Sequence, residues 1–128
     1  MKITRYSRNA RMSQAVVHNG TVYLAGQVPD DANASIEEQT RQVLAKIDDV
    51  LKKVGSGKSR LLTAQVYLAD ISDFNRMNAV WEKWVDQLEP PARTTVQAKL
   101  ANPAFRIEVT VVAALAEGVR FGDTDTSY

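Results

Sequence analysis

Two stretches of this 128-residue chain hold side chains that could do chemistry. The first, GSGKS at residues 55–59, has the glycines, lysine and serine of a phosphate-cradling loop. The second, PPARTTVQAKLANPAFRIEVTVVAAL at residues 90–115, sets Arg93 and, fifteen residues later, Glu108 in runs that alternate as strands do. Arginine offers a permanent cation with a planar fork of donors, and glutamate offers an acceptor that can take up a proton. Neither property makes a site by itself, and solvated sheet residues or a surface ion pair are the simpler reading of the two charges.

What these side chains can reach depends on the elements around them. Val16–Val17 and Val22–Leu24 flank His18, Asn19 and Gly20, which reads as two short strands joined by a turn whose Asn-Gly pair suits positive φ. Ser35 and Glu38 stand at capping-box spacing ahead of Ile36, Val43, Leu44, Ile47, Val50, Leu51 and Val54. That apolar stripe, at three- and four-residue intervals, predicts a helix. Leu61–Leu68 reads as a strand. A second helix follows, with Phe74, Met77, Trp81, Trp84, Val85 and Leu88 on one face and Pro90 and Pro91 ending it. Strands over residues 93–98 and 105–115 close the domain. In the last, Phe105, Ile107, Val109, Val111 and Ala113 share the apolar face, opposite Arg106, Glu108, Thr110 and Val112. Arg93, Thr95 and Gln97 share a face of the strand before it. If those strands meet in one sheet, Arg93 and Glu108 can lie near a common site.

This layout removes the phosphate reading of GSGKS. A Walker-type loop needs a glycine five residues before Gly57, where Lys52 stands, and it must lead from a strand into a helix so that free amides face the anion. Here the segment follows a helix and enters a strand. Gly55 is read as the helix C-cap, with Ser56–Ser59 as a turn.

Composition narrows the function classes further. Sixteen basic and fifteen acidic residues give a net charge of +1 without a basic stripe, which counts against a dedicated nucleic-acid binder. With no cysteine there is no disulfide, thiolate nucleophile or Cys-ligated zinc. The single histidine, His18, is placed in the hairpin turn with no partner at ligand or catalytic spacing, so neither a metal site nor a triad is expected. The polar N-terminus has no signal-peptide core, and no apolar run approaches the ~18 residues of a membrane span, so the expected home is the cytoplasm. Trp81 and Trp84 fall on the helix stripe as core or interface residues. Residues 1–117 read as one domain and 118–128 as a loosely ordered tail.

The order of elements, together with GQVP (26–29), DFNRMNAVWEKW (73–84), PPAR (90–93) and RIEVTVVA (106–113), resembles the Rid/YjgF family of reactive intermediate imine deaminases, also labelled L-PSP endoribonucleases. RMSQAVVHNGTVYLAGQ, GSGKSRLLTAQVYLAD and RTTVQAKLANP are most similar to its YoaB-like branch. The resemblance implies an α+β, chorismate-mutase-like fold, with a mixed sheet and two helices on one face, assembled as a homotrimer with intersubunit clefts. It implies hydrolysis of enamines and imines of the 2-aminoacrylate, 2-iminobutanoate and 2-iminopropanoate type to 2-keto acids and ammonia, with no metal or organic cofactor. In that reading Arg93 binds the substrate carboxylate with its fork of donors. Glu108 holds and activates water, a role served best by a partly enclosed carboxylate. Gly26 and Thr95 orient the substrate through backbone groups, and Asn78 matches the family's asparagine on the second helix, for a site contact or a structural hydrogen bond alike.

The chain also departs from the family. Ala25 stands where many members have serine, Thr95 where many have cysteine two residues after the arginine, and Met12 where an N-terminal tyrosine closes the cleft. Packing is the simpler role for Met12 and Ala25. A lost hydroxyl at Ala25 leaves two readings, altered substrate preference and weak turnover. The rival functions are a non-catalytic sensor of small carboxylates, which needs Arg93 but not Glu108, and an endoribonuclease or translation inhibitor.

Overall fold

Asn19 and Gly20 take φ of 54° and 78° and make the two-residue turn that this pair favours. The turn closes β2 (Ser13–His18) on β3 (Thr21–Leu24) as an antiparallel hairpin. His18, expected in the turn itself, is the last residue of β2 and pairs with Thr21. The computed structural model describes residues 2–121. It adds a strand the sequence pattern did not announce, β1 (Ile3–Arg8), along the outer side of β2. An edge strand with one buried residue, Thr4, has too few inward apolar positions to show a period.

The helix α1 (Ile36–Val54) begins where its cap requires, with the Glu38 N–H donating to Ser35 Oγ at 3.2 Å, and the whole predicted stripe is buried. It stops at Gly55, φ 88°, where the Ser56 N–H donates to the Leu51 carbonyl at 2.8 Å. GSGKS is therefore a helix stop, and a short 3-10 turn at Lys58–Arg60 leads on to β4 (Leu61–Leu68). The second helix, α2 (Phe74–Trp84), is shorter than its pattern: Val85 is extended, and Leu88 is 90% exposed and not on an apolar face. Asp86 pulls the chain into a turn by accepting from the Leu88 N–H and the Ser59 hydroxyl, at 3.0 and 2.7 Å.

The last two strands are β5 (Ala92–Gln97) and β6 (Ile107–Ala114), each beginning and ending within two residues of its predicted span. Among the described residues the sheet runs β1-β2-β3-β6-β4-β5, antiparallel except where β5 lies parallel to β4 after the crossover through α2. The fold is the expected α+β arrangement, with both helices contributing to one core against one sheet face. Ile47 and Leu51 of α1 and Met77 of α2 join Val66, Leu68, Ile107 and Val109 in that core. On the other face Tyr23 and Val96 remain 47% and 42% exposed. Part of the expected tail packs: Phe121 meets Tyr6 edge-on, ring centroids 6.3 Å apart. Residues 122–128 lie outside the described residues.

Candidate functional site

Register decides what Arg93 and Glu108 can do together. Arg93 pairs with Ala64, which pairs with Val111, so all three point to the helix side. Glu108 pairs with Tyr67, three residues along β4 from Ala64, an odd number and therefore on the opposite face. The expectation of one common site is corrected in this respect: β4 separates the two strands, and within one chain the residues occupy different faces of the same sheet. The site residues read from the sequence fall into two groups accordingly.

Arg93 and Thr95 on edge strand β5, with Asn78 on α2 above them, form the first group. The Arg93 guanidinium lies over two rings of α2, with Cζ 5.7 Å from the Phe74 centroid and 5.2 Å from that of Trp81. No hydrogen bond or ion pair to Arg93 exists among the described residues. Burial pushes its guanidinium below the usual arginine range, and the nearby charge of Glu82 opposes this. Thr95, two residues along on the same face, has a buried hydroxyl with no hydrogen-bond partner. A polar atom withdrawn from water and unpaired marks a place where a ligand or another chain can complete the bonding. Asn78 sits one turn from Phe74 and just under one turn from Trp81, on the stripe that faces Arg93.

Glu108, Gly26 and Ala25 form the second group. Gly26 was expected to let a substrate approach the backbone, but what approaches it is Glu108. A Cβ at Gly26 would collide with the Glu108 carboxylate and stand 3.0 Å from its Cδ. The segment is pinned on both sides. The Gln27 N–H donates to Val109 O at 2.8 Å, Val109 N–H to Gln27 O at 3.1 Å, and Ala25 N–H to Gln14 O at 2.9 Å. Ala25 follows β3 and is half-buried, with its carbonyl accepting from Gln27 Nε2. Met12 is 41% exposed in the turn before β2, its N–H held by Asn9 Oδ1 at 3.0 Å, at the same end of β2 as Gln14.

Several residues that shape these groups escaped the sequence reading. Gln27 is 7% exposed and donates to Gln14 Oε1 at 3.1 Å, fixing the Gly26 segment. Gln39, fully buried on α1, accepts from the Arg106 N–H at 2.8 Å and donates to the carbonyls of Ala32, Ala34 and Ala104. It ties the loop before β6 to the loop before α1. Arg106, read as sharing a face with Glu108, lies just before β6 begins and turns to Asp73, whose two carboxylate oxygens accept from Nη2 at 3.0 Å. Phe74 and Trp81 lie on the apolar stripe of α2, and their spacing of seven residues is the sign in the sequence that both can meet one residue below. Among the described residues no three His, Asp or Glu side chains gather to hold a metal ion, and no helix is long and apolar enough to cross a membrane.

Comparison with known proteins agrees with this architecture. The family model described as Endoribonuclease L-PSP matches residues 3–115. A RutC family protein of Haemophilus influenzae is 46% identical over 114 residues, covering 88% of this chain and 98% of that one. The RutC family protein YoaB of Escherichia coli is 47% identical over 115 residues, covering 90% of this chain and 100% of its own. Among solved structures, NMB1025 of Neisseria meningitidis, a member of the YjgF protein family, superposes with a TM-score of 0.90 at 40% identity, over 92% of this chain and 98% of that one.

Proposed function

The chain belongs to the Endoribonuclease L-PSP family, whose members carry the names YjgF and RutC, and from that membership we propose that it hydrolyses reactive enamine and imine acids of the 2-aminoacrylate type to 2-keto acids and ammonia, in clefts built by neighbouring copies. The observation that carries the reading is Arg93, a partly desolvated cation set against two aromatic rings and in no ion pair or hydrogen bond among the described residues, with only the more distant charge of Glu82 acting on it. An arginine fork in that state binds a small carboxylate through paired, charge-assisted hydrogen bonds. Opposite-face placement supports the shared cleft, because a substrate held at Arg93 meets a Glu108 only when a second copy presents one. The half-apolar open face, with Tyr23, Val96 and Leu62 at 47%, 42% and 48% exposure, supports association of three copies around it.

In the proposed reaction an enamine first tautomerises to the imine. Glu108 takes a proton from a water whose oxygen attacks the imine carbon, giving a carbinolamine. The C–N bond then breaks as the proton passes to nitrogen, ammonia leaves, and the carbon closes to a 2-keto acid. Gly26 leaves room for Glu108 at that position, and Thr95 and Asn78 line the carboxylate end. Ala25 and Met12 alter the wall and thereby the range of side chains accepted.

The endoribonuclease of the family description finds less support in these residues. Acid–base cleavage of RNA calls for paired proton-transfer groups, and the chain has a single histidine, at the end of β2, and a net charge of +1. The test is imine hydrolysis: imino acids are generated in place by an amino-acid oxidase, and the purified protein is assayed for suppression of semicarbazone trapping. The reading expects suppression by wild type and none by Arg93→Ala. Equal trapping with and without wild-type protein, across small, aliphatic and aromatic imines, would turn the account to a carboxylate sensor.

A further inference from the structure

We infer that Phe74 and Trp81 of α2 are positioning residues that hold the Arg93 guanidinium against their ring faces and out of any ion pair, with its N–H donors left for a carboxylate; the inference rests on the carboxylate-anchoring role proposed above. Arg41, Arg76 and Arg106 each carry a carboxylate partner, at 3.1, 2.7 and 3.0 Å. Arg93 is secured differently. Among the described residues two aromatic rings lie within ~6 Å of it, the range of the cation–π attraction, and the nearby Glu82 charge forms no ion pair with it. Such contacts place the cation over the faces of the rings and form no conventional hydrogen bond with its five N–H donors. A salt bridge would occupy those donors. The rings supply attraction without consuming them.

Sequence and fold put both rings over one residue. Phe74 and Trp81 are seven residues apart, about two helical turns, on one stripe of α2. The parallel β4–α2–β5 crossover returns the chain beneath that stripe with Arg93 on the helix side. Trp81, 7% exposed, forms the inner part of the seat, and Phe74, 38% exposed, the outer. The partial burial of Arg93 strengthens its attraction for an anion that reaches it.

The test is calorimetric titration of the full-length protein with 2-oxobutanoate, comparing wild type with Trp81→Phe, Trp81→Leu and Phe74→Leu. Positioning by the rings expects Trp81→Phe to bind within about twofold of wild type, and Trp81→Leu and Phe74→Leu to bind roughly threefold to fivefold more weakly each. Phe74 is exposed enough that its replacement leaves folding intact, so its result stands even if Trp81→Leu fails to fold. Wild-type affinity in Phe74→Leu, equal weakening by Trp81→Phe and Trp81→Leu, or no binding by wild type would each overturn the inference. Ring-dependent binding without any imine turnover would uphold it and sink the deaminase reading alone.

Discussion

Replacing Gly26 with alanine perturbs Glu108 and little else. The added methyl would sit 3.0 Å from Glu108 Cδ and 3.2 Å from Cγ, and would overlap the carboxylate itself. The backbone cannot retreat, because the bonds between Gln27 and Val109 and from Ala25 to Gln14 hold the segment at 2.8 to 3.1 Å. Gly26 has no positive φ, so alanine brings no backbone strain, and its stability effect should stay within about 1 kcal/mol. The carboxylate must therefore rotate to another well, a displacement of more than the ~1 Å that typically costs 100-fold in a positioned catalytic group. We expect kcat for imine hydrolysis to fall about 100-fold, with KM nearly unchanged because Arg93 lies on the other face. The assay is steady-state trapping kinetics, with urea unfolding of the same preparation as control. Wild-type kcat in a folded Gly26→Ala protein would refute the placement of Glu108 as the water-activating group.

Other perturbations separate the anchor from the scaffold. Arg93→Ala should raise KM about 10- to 100-fold, the loss of charge-assisted hydrogen bonds to a carboxylate, and Arg93→Lys should recover only part of it in the same kinetics. Asp73→Ala should cost roughly 2 kcal/mol in urea unfolding, since the nearly buried Asp73 would no longer answer Arg106, whose partial exposure softens the penalty. Hydrogen bonding from Arg76 holds the Glu37 carboxyl below the usual glutamate range. Its stabilising contribution is therefore complete above that range and lost as pH falls through the lowered value. Thermal melts should accordingly show the difference between wild type and Arg76→Ala shrinking as the pH becomes acid.

Much of the fold was legible because local chemistry and long-range packing agree in it. The stripe from Ile36 to Val54 has a cap at Ser35 and a stop at Gly55, and Asn19-Gly20 can hardly do anything but turn. Where one signal stood alone it misled: Leu88 continued the α2 pattern, but Asp86 offers the backbone a competing turn. β1 has no inward apolar period because it is an edge. The site was legible as residue types, in Arg93 and Glu108 with Thr95, Asn78, Gly26 and Ala25 around them. Its division into two groups was not, because β4 enters the sheet between β5 and β6. That insertion depends on a parallel pairing across α2, and a one-residue difference in register sends a side chain to the other face. Gly26 beneath Glu108 is likewise a contact between residues far apart in sequence.

The shared cleft is tested most directly by mixing two inactive proteins. Arg93→Ala and Glu108→Gln chains would be unfolded together, refolded at equal amounts, and assayed for imine hydrolysis beside each variant refolded alone. If every cleft takes Arg93 from one copy and Glu108 from another, random assembly restores about one quarter of the wild-type sites, in any closed ring of copies. Activity near that fraction is the expected result. Mixed assemblies with no recovered activity would mean that each working site draws both residues from one chain, which would contradict the account.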